Sequence, residues 1–233
     1  MRRRRGWSVL AALAAVLSVA GGSAVARGPA LRGVVEGYYG RPWSGPARRD
    51  VIRFLGAHGL TTFLYAPKND EFHRARWREP YPGDELRDLR KTARVARRAG
   101  VRFIYGLSPG LDICYSCAED GDALGAKLDQ LRRAGVRRFA LLLDDTPARL
   151  TDARDVAVHG GEDEAALARA QAALANRTAR RLKGRGRARL ELVVPTIYWG
   201  TECRPYLEEL GRHLGSRMFP VDSHQQMSDL RAL

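Results

Sequence analysis

Short apolar runs alternate with longer amphipathic stretches through most of this chain. Between the runs, apolar residues recur at the spacing of one helix face, as expected of helices that cover a sheet. The runs are apolar throughout rather than alternating, which is typical of parallel strands buried on both faces. The pattern therefore predicts five parallel strands, near residues 31–36, 60–66, 101–107, 136–143 and 189–195.

Three glycines mark the predicted ends of helices. Gly59, Gly100 and Gly135 each follow an amphipathic stretch and precede a branched apolar residue, which is where a left-handed helix cap is expected. Repeated helix, cap and strand units joined by right-handed crossovers give a parallel sheet. No glycine-rich phosphate loop follows the first strand, which argues against a nucleotide-binding doubly wound fold. We predict an α/β chain of the (β/α)8 TIM-barrel type, with about the first five β/α units present.

Two consecutive carboxylates end the fourth predicted strand. The apolar run from Phe139 leads directly into Asp144 and Asp145. One such Asp is often a helix N-cap, but a pair favours catalytic acids, because barrel enzymes keep their chemistry at the carboxyl ends of the strands. Polar, aromatic and glycine residues follow the other strand ends as well, namely Gly37, Tyr38, Tyr39, Lys68, Asn69, Asp70, Ser108, Tyr198 and Trp199. One shared rim would bring them to one pocket.

The first 26 residues have the order of a secretory signal peptide. Four arginines at positions 2–5 precede an apolar run, which ends in the small residues Ala24-Val25-Ala26. The run is short for a membrane span of about 20 residues. We therefore predict cleavage after Ala26 and a secreted, extracellular protein with no stable membrane anchor.

The charge balance is strongly basic. The formal net charge is +14, and loss of the four arginines in the predicted signal peptide leaves +10. Such a charge suits an anionic polysaccharide or wall polymer. No nucleic-acid motif accompanies it, so nucleic acid is not an expected partner. An arginine-rich genome explains the composition equally well.

The three cysteines do not form a recognisable metal motif. Cys114-x-x-Cys117 lacks a second CxxC or a His pair, so no metal site is expected. In an exported protein these two residues can form a disulfide, which leaves Cys203 free. We expect no cofactor.

Six segments together resemble glycoside hydrolase family 84, the β-N-acetylglucosaminidases of the O-GlcNAcase and bacterial hyaluronidase type. The resemblance begins near Arg32 and assigns residues 27–216 to the N-terminal part of a catalytic barrel, whereas residues 217–233 match nothing. The segments are Val35–Trp43, Leu64–Asp70, Trp77–Glu79, Ser108–Ile113, Phe139–Asp145, and Pro195 and Thr196 with Tyr198.

The resemblance implies a retaining hydrolase in which the 2-acetamido group of the substrate is the nucleophile and an oxazoline is the intermediate. Asp144 matches the residue that orients the acetamido group, and Asp145 matches the general acid/base. Gly37, Lys68 and Tyr198 match residues that bind the sugar.

Further positions are less clearly assigned by the resemblance. Tyr39 and Trp43 are candidates for lining the pocket, although packing explains them about as well. Asn69 stands where the family usually has Asp, a change expected to alter the polarity of the rim more than the chemistry.

The chemistry of a glycosidase fits two neighbouring acids. One carboxyl must be protonated to release the leaving oxygen while another stabilises positive charge. Two carboxylates this close should not ionise independently, which helps to keep one protonated near neutral pH. Both can face one pocket only where the strand stops being regular, because successive side chains on a strand point to opposite faces.

Three functions remain open from the sequence. The first is an exported enzyme that removes β-linked N-acetylglucosamine (GlcNAc). The second is an inactive truncated fragment or glycan-binding remnant of such an enzyme, because the resemblance stops before the later strands that complete the family's pocket. The third is a basic wall-polysaccharide-binding protein whose aspartates only cap helices.

Overall fold

A computed structural model describes residues 31–184, 186–198, 204–215 and 219–220. The predicted signal peptide, Trp199 and Cys203 lie outside the described residues. So does the tail from residue 217, apart from the pair at 219–220.

A parallel sheet forms the centre of the described chain, and its strands are hydrogen-bonded in chain order. All five predicted strands are present, which confirms the α/β prediction. A further pairing lies within the tail that matched nothing, where Phe219 and Pro220 pair with Leu192 and Val193. Two residues are too few to show a hydrophobic period, so the sequence did not predict this strand. The strands are β1 Gly33–Glu36, β2 Thr62–Tyr65, β3 Arg102–Leu107, β4 Arg138–Leu142, β5 Arg189–Val194 and β6 Phe219–Pro220.

Helices connect the strands, and a 3₁₀ turn at Glu71–His73 follows β2. Gly59, Gly100 and Gly135 have φ angles of 71°, 71° and 103°, so the predicted left-handed caps are confirmed. The helices are α1 Gly45–Ala57, α2 Gly83–Arg98, α3 Ala118–Arg133, α4 Ala153–His159, α5 Glu164–Lys183 and α6 Arg204–His213. None of the helices in the described part of the chain is long and apolar enough to cross a bilayer.

The sheet separates two apolar clusters. One face packs against the helices and carries the large side chains of Phe63, Tyr105 and Phe139. The other face carries a smaller cluster that includes Leu64 and Ile104. Alternate residues of β2, β3 and β4 therefore enter different clusters, as the pleat requires. Both faces are apolar, which explains why the strands read as continuous apolar runs.

Backbone hydrogen bonds hold neighbouring loops together at the carboxyl edge of the sheet. The Ala66 N–H donates to the Glu36 carbonyl at 3.0 Å, and the Lys68 N–H donates to the Tyr38 carbonyl at 3.1 Å. The Leu143 N–H donates to Val194 at 2.8 Å. The residues that follow β1, β2, β4 and β5 are thereby fixed to the same edge.

Candidate active site

Asp144 and Asp145 lie in a turn directly after β4, where the strand has ended. The Lys68 ammonium donates to both, with distances from Nζ of 3.0 Å to Asp144 Oδ2 and 2.7 Å to Asp145 Oδ2. The Thr146 hydroxyl closes the turn by donating to the Leu143 carbonyl at 3.1 Å. Both carboxylates therefore reach one cation, as the end of regular strand geometry allows. Lys68 and the two aspartates therefore lie together, as their positions at strand ends predicted.

A second cation contacts Asp145 alone. Arg74 Nη2 lies 3.0 Å from Asp145 Oδ2, the same oxygen that Lys68 contacts. The guanidinium carbon of Arg74 lies 5.6 Å from the centre of the Tyr39 ring, and the Tyr39 hydroxyl faces Asp145. Sequence reasoning did not identify Arg74, because it follows β2 only after a turn whose shape depends on other parts of the fold.

These contacts set the charge states of the site. Burial alone would raise the pKa of Asp145, but the Lys68 ammonium, Arg74 and the Tyr39 hydroxyl outweigh it and hold that pKa below the usual value. Burial alone would lower the pKa of Lys68, but hydrogen bonds to Asp145 and Asp144 raise it instead. The structure thus favours an ionised Asp145, whereas the closeness of the two acids had suggested that one of them is kept protonated. The cations account for the difference, because a positive charge beside a carboxyl favours its ionised form.

One carboxylate oxygen of the pair is buried without a partner. Asp144 Oδ1 accepts no hydrogen bond from any residue that the structure describes, while its Oδ2 is held by Lys68. A buried acceptor without a donor is costly. The Oδ1 atom is therefore available to an N–H or O–H group of a bound molecule.

Contacts within the loop after β2, together with contacts from the end of β3 and from α3, fix the segment that carries Lys68 and Arg74. The imidazole of His73 is fully buried, and its Nε2 lies 2.8 Å from the Pro67 carbonyl. The Ser108 N–H donates to the His73 carbonyl at 2.8 Å. From α3, the buried Lys127 donates to the Phe72 carbonyl at 2.7 Å. Ser108, one of the predicted rim residues, therefore supports this turn through its backbone.

Asp70 anchors the same turn below the rim. Its carboxylate accepts from the Tyr65 hydroxyl at 2.6 Å, from the Tyr81 hydroxyl at 2.5 Å and from the Phe72 N–H at 3.0 Å. Three donors leave this carboxylate little capacity for a ligand, so its role in the structure is to shape the loop.

The loop after β1 carries several of the residues assigned by resemblance. Gly37 lies between Glu36 and Tyr38, whose carbonyls are both bound by the backbone after β2. Asn69 accepts from the Gly40 N–H at 2.8 Å, so this amide ties the two loops together in addition to any effect on polarity.

Trp43 and Tyr39 occupy different settings. The ring of Trp43 contacts Tyr38 and the helix-side residue Phe63, with centroids 5.9 and 6.2 Å apart. Packing therefore accounts for these contacts of the Trp43 ring. Tyr39 is 65% exposed, and it touches Arg74 and Asp145 rather than the core.

A buried polar network supports the aspartate turn from behind. Thr196, just past β5, donates to the Leu143 carbonyl at 2.7 Å. Gln171 of α5 donates to the Thr196 hydroxyl at 2.6 Å and accepts from Tyr206. Tyr198 lies half-buried beyond Thr196 at the carboxyl end of β5, at the edge that holds the aspartates.

The cysteine pair lies in the loop after β3. Cys114 and Cys117 are joined by a disulfide with Cα atoms 5.3 Å apart, and both residues are buried. The nearby Asp155 accepts from the backbone N–H groups of Tyr115 and Ser116. The disulfide therefore belongs to a bonded loop, in agreement with the pairing considered from the sequence.

Comparisons with known proteins extend over most of the chain. Residues 32–218 match the beta-N-acetylglucosaminidase family. The chain is similar to the protein O-GlcNAcase of Mus musculus, at 39% identity over 94% of this chain and 25% of the relative. It is also similar to that of Rattus norvegicus, at 38% identity over 86% of this chain and 23% of the relative. The chain thus spans about a quarter of the length of these relatives.

A solved structure agrees with the fold. A mutant of the O-GlcNAc hydrolase of Thermobaculum terrenum superposes with a TM-score of 0.75 at 32% sequence identity. The similarity covers 80% of this chain and 39% of the solved one.

Proposed function

Because this chain belongs to the beta-N-acetylglucosaminidase family, we propose that it carries the catalytic acids of a retaining glycosidase that removes β-linked GlcNAc from glycans or glycoconjugates. The observation that carries the proposal is the joint contact of Lys68 with Asp144 and Asp145, together with the unpartnered Oδ1 of Asp144. A glycosidase needs two carboxyl groups in different protonation states at one pocket.

Asp144 is proposed to act on the acetamido group of the substrate. Its unpartnered Oδ1 accepts the amide N–H, which turns the acetamido carbonyl oxygen toward C1 of the sugar. That oxygen forms a bond to C1 as the glycosidic bond breaks, giving an oxazoline that is protonated at nitrogen and still donates its N–H to Asp144. The side chain of Asp144 stabilises the positive charge that develops on the amide.

Asp145 is proposed to move the proton. In the first step its carboxyl gives a proton to the departing glycosidic oxygen. In the second step the carboxylate takes a proton from water, which opens the oxazoline at C1 and retains the β configuration. The acid must be protonated for the first step, although the resting contacts favour ionisation. A sugar hydroxyl that accepts a hydrogen bond from Lys68 would draw the ammonium away from Asp145. The pKa of Asp145 would then rise.

The roles of the remaining residues follow the resemblance. The Gly37 backbone and Lys68 would bind sugar hydroxyls, and Tyr198 would approach the acetamido group. The basic charge of the chain suits an anionic polysaccharide as a further partner, and the order of its first 26 residues supports export to the extracellular space.

Hydrolysis of 4-nitrophenyl β-GlcNAc by the purified chain tests the proposal. Proton NMR of the early product should show the β anomer of free GlcNAc. Asp144→Asn should lower kcat/KM at least about 100-fold, whereas Asp145→Asn should lose less on this substrate, because its phenol needs little protonation. Binding of GlcNAc without turnover would instead support the glycan-binding alternative. Release of the α anomer, or normal turnover by both variants, would contradict the assigned mechanism.

A further inference from the structure

Arg74 is the charged group at the site to which the resemblance gives no role. Its Nη2 lies 3.0 Å from Asp145 Oδ2, and only 18% of its side chain is exposed. Its Nε is buried and has no hydrogen-bond partner among the residues that the structure describes. Among the described residues, the guanidinium therefore contacts Asp145 and the ring of Tyr39.

The backbone delivers Arg74 to this place through a supported turn. Arg74 ends the 3₁₀ turn Glu71–His73. His73 is held through its ring and its carbonyl, and Lys127 holds the Phe72 carbonyl. These contacts fix the backbone position from which the Arg74 side chain reaches Asp145.

The two cations differ in what they contact. Lys68 bridges both carboxylates, so a ligand that engages Lys68 changes the surroundings of both acids. Among the described residues, Arg74 forms an ion pair with Asp145 and with no other carboxylate. When a sugar hydroxyl takes a hydrogen bond from Lys68, Arg74 remains as the cation that fixes Asp145 Oδ2.

We propose that Arg74 is a positioning residue for the reaction, which acts through Asp145 by orienting its carboxyl group toward the leaving-group oxygen. This inference rests on the proposed function for its catalytic meaning. The contact itself can be tested without turnover. Loss of Arg74 should impair proton transfer by Asp145. It should leave the orientation of the acetamido group by Asp144 largely unchanged.

The first test measures the titration of Asp145 in the full chain. Carbon-13 NMR of labelled aspartate carboxyls, with Asp145→Asn for assignment, would be recorded for wild type, Arg74→Gln and the matched control Arg76→Gln. Arg76 lies on the same loop but pairs with the exposed Glu71 and Glu79. The groups facing Asp145 are Lys68, Arg74 and Tyr39, and Asp144 is its neighbour. Removing one cation should raise the Asp145 midpoint by about one pH unit, whereas Arg76→Gln should leave it in place.

The second test compares leaving groups. With 4-nitrophenyl β-GlcNAc, whose leaving group needs little protonation, Arg74→Gln should lose no more than about 3-fold in kcat/KM, which reports the first step. With methyl β-GlcNAc the loss should be about 10-fold or more. Arg74→Lys should recover part of the loss and keeps the test informative if the Gln variant does not fold. A merely structural role would lower both rates equally.

The outcomes separate this inference from the proposed function. An unchanged Asp145 midpoint in both Arg74 variants, or equal losses on both substrates, would overturn the role of Arg74. If the wild type hydrolyses neither substrate, the proposed function fails, and the NMR midpoint alone decides whether Arg74 governs Asp145.

Discussion

Lys127 offers a quantitative test of how the fold supports the site. The side chain is 2% exposed, and its ammonium donates to the Phe72 carbonyl and lies 4.6 Å from the centre of the Tyr81 ring. Burial lowers the pKa of Lys127 from 10.5 to about 8, although Asp70 and Glu79 oppose the change. The folded state therefore binds this proton less tightly than the unfolded state.

The sign and size of the effect on stability follow from linkage. Below pH 8 both states hold the proton, so folding bears the full cost of burying the ammonium. Between pH 8 and 10.5 the unfolded state holds more protons, so stability rises with pH. Over pH 7 to 9.5 the gain from this one group is about 2 kcal/mol. The window ends at pH 9.5 because burial holds the pKa values of Tyr65, Tyr81 and Tyr105 well above 10, so ionisation of the unfolded tyrosines would lower stability at higher pH.

Urea unfolding at pH 7 and 9.5 measures this gain. Lys127→Met removes the titrating group, so wild type should gain about 2 kcal/mol relative to this variant between the two pH values. Lys91→Met, at an exposed lysine of α2, is the matched control. The difference in unfolding free energy between wild type and Lys91→Met should be the same at both pH values. A difference between wild type and Lys127→Met that stays constant within about 0.5 kcal/mol would refute the reasoning.

Two further substitutions test the frame around the site. Glu36, the last residue of β1, pairs with Arg48 of α1 at 2.6 Å, and Glu36→Gln leaves Arg48 without this buried counter-charge. It should lower the free energy of unfolding by about 3 kcal/mol in urea, and a loss below about 1 kcal/mol would contradict the assignment of a buried pair. Ile104→Ala empties part of the apolar cluster on the face away from the helices, where Ile104 is fully buried. It should cost about 2–5 kcal/mol by urea unfolding, and a near-neutral effect would mean that this face is not packed.

The sequence predicted the parts of the fold that depend on local pattern. Gly59, Gly100 and Gly135 lie in the left-handed conformation that their place between helix and strand predicted. The parallel order of the first five strands followed from that repeat. The helix α4 was not predicted, although Asp152 caps it and Gly160 ends it with φ 78°, because seven residues give too little periodicity to read.

The site was predictable only where strand ends determine it. Lys68, Asp144 and Asp145 directly follow buried strands, so the shared edge of the sheet brings them together. Arg74 reaches the same place through a turn held by contacts from β3 and α3, and no local pattern reports such contacts.

The division of labour between the two aspartates is the central claim, and a comparison of leaving groups tests it most directly. Initial rates would be measured for wild type, Asp144→Asn and Asp145→Asn on 4-nitrophenyl and methyl β-GlcNAc. Since an activated phenol needs little protonation, it should partly rescue the glycosylation step of Asp145→Asn and not that of Asp144→Asn. Rescue of Asp144→Asn instead, or equal losses for both variants on both substrates, would contradict the assignment.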